Sequence, residues 1–219
     1  MSRSDRILVG QCGFHRVRAF SLAAALIGWS FVGPRLPTGW RVALQAGASG
    51  LLVVVTRAQL GFYPPRLWAG LRLGSAAGAV AAGAIAATTA VPVVRTSMAG
   101  REPTGSVPGW LLIRIPLGTV WAEEAAFRAA LAAAASDALG RSGGRLLQAA
   151  SFGLSHLADA RAAGEPALGT VLVTGAAGWL FGWLADRSGS LAAPMLVHLA
   201  INEAGAIAAL SVQRHGLMV

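Results

Sequence analysis

The chain has 219 residues, 55% of them hydrophobic and only 12% charged, with a mean hydropathy of +0.60. Soluble domains carry roughly 25% charged residues, so half that share argues against a soluble enzyme and for a membrane protein. The net charge of +9 rests on 18 basic residues, all of them arginine. They stand singly between apolar runs, with no basic face interleaved with aromatics, so nucleic acid is not expected as a partner and the lipid bilayer is. Arginine without lysine, in a chain so rich in Ala and Gly, fits a GC-rich bacterial genome and a place in the bacterial inner (plasma) membrane. Cys12 is the single cysteine, which leaves no intramolecular disulfide and no cysteine metal site.

In chain order, arginines precede an apolar run from Ala19 to Val32. The pattern resembles a signal peptide, but further spans follow, so it reads as an uncleaved first membrane helix. Apolar runs of about 17 to 25 residues cross a bilayer as helices. Seven fall at roughly 17–33, 42–58, 68–94, 109–136, 145–161, 167–185 and 189–212, with an eighth helix if the long third run divides. Breaks fall at Pro34 and Pro37, at Pro64-Pro65, at Arg101-Glu102-Pro103, over Gly140 to Gly144, and at Gly164 with Pro166. The expected fold is all-α: a polytopic integral membrane helix bundle forming a single transmembrane domain over 1–219.

Arginines in the loops orient the bundle. With the N-terminus inside, the cytoplasmic side holds Arg3, Arg6, Arg16, Arg18, Arg57, Arg66, Arg72, Arg141, Arg145 and Arg187. The other side holds Arg35, Arg41, Arg95, Arg101, Arg161 and Arg214, so the count favours a cytoplasmic N-terminus. Small residues spaced by four, Gly74/Gly78 and Gly178/Gly182, let helices approach closely and read as packing.

The chemistry concentrates in a few intramembrane positions. Trp121 to Leu131, WAEEAAFRAAL, sets two glutamates and an arginine in an apolar span, where ionisable groups persist mainly facing a cavity, a partner or a reaction. Glu124 and Arg128 share a helix face and can pair, while Glu123 lies about 100° around the helix. His156 sits in SFGLSHL one turn after Phe152. His198 and Asn202 stand four apart on one face of the last span. Counting about 1.5 Å per residue, Glu123 lies roughly 10–12 Å from the cytoplasmic end of a core about 30 Å thick. By the same count His156 falls at roughly 16 Å and His198 at roughly 13 Å. A shared depth is what one buried polar site requires.

These residue types suit hydrolysis. A carboxylate and a neutral imidazole can orient and deprotonate a water. A second imidazole and an amide N–H can stabilise the oxyanion formed when that water adds to a carbonyl. Arg128 would hold Glu124. Ser155, adjacent to His156, is expected to point elsewhere, and Asp159 lies near its span's end, so no serine triad is read. Asp186 is expected in an interfacial ion pair with Arg187, and Glu203 either lines the cavity or faces head groups.

Together the motifs resemble the CAAX prenyl protease and bacteriocin-processing (Abi) family of intramembrane proteases. They read Glu123-Glu124-Ala125-Ala126-Phe127-Arg128, Phe152-Gly153-Leu154-Ser155-His156, and His198-Leu199-Ala200-Ile201-Asn202, over a protease-like core of about 110–205. The resemblance implies a helical membrane endopeptidase whose cavity opens to the cytoplasmic side. In it Glu123 and His156 would activate the water, His198 and Asn202 would form the oxyanion hole, and Glu124 and Arg128 would support them. The substrate would be a membrane-associated peptide or protein, without implying prenyl groups.

Glu123, His156 and His198 also form a plausible zinc set, leaving a fourth position for water. Histidine as an oxyanion donor explains the pairing with Asn202 better, because asparagine is a poor zinc ligand, so a metal-free mechanism is favoured and zinc is the alternative. Two other functions compete. A non-cleaving scaffold or bacteriocin-immunity protein would keep the fold without hydrolysis. A proton-coupled transporter would need a polar stripe through the membrane, and the first three spans are apolar.

Overall fold

A computed structural model describes residues 3–100 and 105–216, with side chains described over 13–100 and 105–214. The expected break at Arg101-Glu102-Pro103 and the side chains of Arg3, Arg6 and Cys12 lie outside the described residues. All regular structure among the described residues is helical. Helix α1 spans Arg3–Val32, α2 Thr38–Thr56, α3 Arg66–Thr88 and α4 Pro92–Ala99. A short turn at Val107–Gly109 then opens α5, which runs through Trp110–Trp121 and Glu124–Leu131 in wide π turns around the internal Pro116. Helix α6 follows over Ala132–Ser155, α7 over Leu157–Ala163, α8 over Ala167–Ser188 and α9 over Ala192–Gly216.

Five helices are long and apolar enough to cross a membrane: Gly13–Arg35, Thr38–Thr56, Arg66–Thr88, Ala167–Ser188 and Ala192–Arg214. They correspond to five of the seven runs expected from the sequence. The other two, 109–136 and 145–161, become α5 and α6, where the polar residues sit. Gly140 breaks α6 with φ 74° and ψ 170°, a conformation open to glycine and strained for other residues. The third run does divide, but α4 has eight residues and covers about 12 Å, too little for an eighth span. The chain is an all-α, multi-pass membrane helix bundle. Its outer surface fits that reading, with Leu51, Val54, Val80, Leu168 and Leu172 all exposed.

Small residues set how closely the helices approach. A Cβ on Gly74 would stand 2.8 Å from Ala193 Cα, so α3 can lie against the start of α9 only with glycine there. On α8, a Cβ at Gly178 would stand 2.9 Å from Phe152 Cδ1, which draws α6 and its aromatic ring inward. Both glycine pairs read as packing signals thus sit at helix contacts. Helices α1 and α2 are joined by the Gly33–Arg35 turn yet lean on different partners, α1 on α6 and α2 on α5. A cavity opens between them.

Candidate active site

The acidic pair sits where the second π segment of α5 begins, Glu123 just before it and Glu124 its first residue, and the two meet opposite environments. Glu124 is fully buried, with Arg128 Nε 3.3 Å from its Oε2 one turn along the helix. His198 Nδ1 reaches Glu124 Oε1 at 2.7 Å. A carboxylate oxygen can only accept, so the proton of that bond sits on Nδ1 and the imidazole is oriented by it. The opposite ring nitrogen, Nε2, then faces Glu123, whose Oε2 is 3.9 Å away. That is too long for a direct hydrogen bond and suits one bridging water.

The Arg128 guanidinium makes no aligned hydrogen bond among the described residues. It lies 3.7 Å from the Phe152 ring centroid, with Phe181 at 5.0 Å and Phe127 at 5.9 Å. The aromatic faces exclude water and attract the cation, and the Glu124 charge balances it. Phe152 and Phe127 meet edge to face at 5.3 Å, which fixes the floor of this cage. Phe181 also stands 5.2 Å from the His198 ring.

His156 lies where α6 ends and α7 begins, with φ −88° and ψ −2°. Its Nδ1 is 2.8 Å from the Phe152 carbonyl oxygen, an acceptor, so Nδ1 carries the proton and the neutral ring keeps its lone pair on Nε2. Its ring packs edge-on to Phe152 at 4.7 Å. Asn202 donates through Nδ2 to the His198 carbonyl at 3.0 Å, which holds the amide beside the imidazole and leaves one N–H of the amide unused.

A cavity of about 880 Å³ joins these groups: Glu123, His156, His198 and Asn202 all line it, while Glu124 and Arg128 lie behind its wall. It runs from the glutamates to the end of the bundle that carries the Gly33–Arg35 turn, past Trp29, Pro34 and Leu36. The start of α1 lies at the opposite end.

The imidazole beside the carboxylates is His198. His156 shares the cavity but forms no hydrogen bond or ion pair with either glutamate. Sequence spacing placed both histidines at one depth and could not say which α5 would touch. Among the described residues no three His, Cys, Asp or Glu side chains gather closely enough to hold a metal ion, so Glu123, His156 and His198 do not form a ready ligand set. Asp186 pairs with Arg145 of α6, Nε to Oδ2 3.1 Å, and not with its neighbour Arg187, because α6 packs across that turn of α8. Ser155 lines the cavity after all, yet its hydroxyl donates to the Phe152 carbonyl at 2.8 Å.

Three cavity residues escaped the sequence reading as site residues. Phe181 carries no local signal, since one aromatic among the apolar residues of α8 looks like core. Arg114 did carry one: a charge inside WLLIRIPL, within a span, is the kind of residue that marks a site. Arg41 also lines the cavity and was counted only as a loop charge.

Residues 105–204 match the family model described as Rce1-like, type II CAAX prenyl endopeptidase Rce1-like. The resemblance to CAAX-type intramembrane proteases is shown over that stretch, which holds all three motifs and every residue of the acidic and imidazole cluster. No curated protein and no solved structure matches the chain.

Proposed function

We propose that this protein is an intramembrane endopeptidase that hydrolyses a peptide bond of a membrane-associated substrate inside the cavity. The carrying observation is the 3.9 Å gap between Glu123 Oε2 and His198 Nε2, on a cavity wall shared with His156 and Asn202. A water in that gap would give its proton to Glu123, with the Nε2 lone pair of His156 as the second acceptor, while its oxygen attacks the substrate carbonyl. The oxyanion that forms would be met by His198, protonated at Nε2, and by the free N–H of Asn202. Glu124 supports that ring through Nδ1, and Arg128 holds Glu124 from its other oxygen. The proton held by Glu123 and His156 then passes to the leaving amine as the C–N bond breaks.

This mechanism uses no metal. The protein is read as a bacterial inner-membrane protein with a cytoplasmic N-terminus, as the arginine count favours. The test is purified protein in bilayers with candidate membrane peptides. Cleavage is expected in the wild type, to persist in a strong chelator, and to fall at least about a hundredfold in Glu123→Ala and His156→Ala. Variants that cleave as well as wild type would overturn the mechanism.

A further inference from the structure

Three charged residues on the cavity wall have no role in the proposed hydrolysis: Arg41, Arg114 and Asp159. Arg114 on α5 and Arg41 on α2 both line the wall, and neither side chain forms a hydrogen bond or ion pair among the described residues. Arg114 Nη1 is buried with no partner. Asp159 shares that wall, yet it is exposed and makes no ion pair with either arginine. A buried guanidinium nitrogen without an acceptor costs free energy that a ligand anion would return. Arginine's fork suits a carboxylate in particular.

We propose that Arg114 and Arg41 form a subsite that binds a carboxylate of the peptide substrate, either an acidic side chain or a free C-terminus. The proposal rests on the peptidase reading and names a determinant of its specificity. Arg114 precedes Glu123 by nine residues on one helical run, roughly 10–14 Å at helical rise. An extended peptide covers that distance in about three to four residues. The selected carboxylate therefore lies about that many residues from the bond that meets Glu123. Lipid phosphate is the competing anion, but both arginines face the cavity that holds the glutamates, where a bound peptide would pass.

The test separates binding from turnover. Glu123→Gln protein in nanodiscs of zwitterionic lipid is titrated with labelled apolar peptides that differ in one group. One pair carries Glu or Gln three to four residues from the central bond, with the C-terminus amidated. A second pair has no acidic side chain and ends in a free acid or an amide. The acidic member of at least one pair is expected to bind about tenfold more tightly, and the pair that responds names the source. Arg114→Gln with Arg41→Gln should bring that ratio to about one, Arg114→Lys should keep part of it, and Arg114→Glu should reverse it towards a lysine-bearing peptide. No preference in either pair, or a preference indifferent to the arginine variants, overturns the subsite. So does the outcome in which the variants alter only the response to anionic lipid added to the disc. Wild-type protein that binds acidic peptides through Arg114 but never cleaves sinks the peptidase reading alone. Cleavage without acid preference sinks the subsite alone.

Discussion

Glu123 and Glu124 are neighbours in sequence and opposites in surroundings. Glu124 is sealed between His198 and Arg128, whose guanidinium lies among three aromatic rings, whereas the Glu123 side chain keeps a quarter of its surface exposed and lines the cavity. One carboxylate is fixed by partners on both sides; the other has an imidazole nitrogen too far off to bond directly. The difference teaches that a charge in the membrane interior can be held for architecture or left available for chemistry. One residue of helical rotation decides which.

The comparison breaks first at Glu123. Glu123→Gln is expected to lower peptide cleavage about a thousandfold while leaving thermal unfolding in detergent within a degree or two of wild type. A large loss of stability there would mean that Glu123 is structural as well. Arg128→Met should do the reverse in kind. It leaves Glu124 buried without its cation and should destabilise the fold by about 3 kcal/mol. Adding Glu124→Gln to it should recover a good part of that, because the uncompensated charge is gone. Unfolding curves of the two single variants and the double variant measure this coupling.

His156→Ala sharpens the open side. Its ring touches the Phe152 carbonyl and ring and lines the cavity, so a loss of about a hundredfold in cleavage is expected, with little change in unfolding. Equal activity would overturn the mechanism. The smallest effect concerns packing away from either glutamate. Gly74→Leu drives a side chain into Ala193 at the α3–α9 contact and should destabilise by about 2 kcal/mol, with cleavage per folded molecule unchanged.

Much of the site was legible because the membrane makes polar residues conspicuous. In a chain this apolar, two glutamates, two histidines and an asparagine inside helical spans stand out without any alignment. The glycine spacings at 74/78 and 178/182 announced helix contacts for the same physical reason: only a missing side chain allows that approach. Span counting worked where helices are uniformly apolar and lost its grip at α5 and α6. There π turns, Gly140 and charged side chains interrupt the apolar run. The pairing of Asp186 with Arg145 across two helices was equally out of reach, since sequence adjacency favoured Arg187.

The amino-acid order by itself determined that the chain lives in a bilayer as a helical bundle, and which few side chains are polar enough there to need a reason. Hydropathy and residue spacing are local quantities, and they suffice for that. Only the tertiary structure decided that His198 and not His156 meets the acidic pair, that Phe181 and Phe152 cage Arg128, and that Arg41 and Arg114 face into the cavity. Those facts depend on how helices far apart in the chain rotate and lean against one another, which close contacts at a handful of glycines set and no spacing within one helix records.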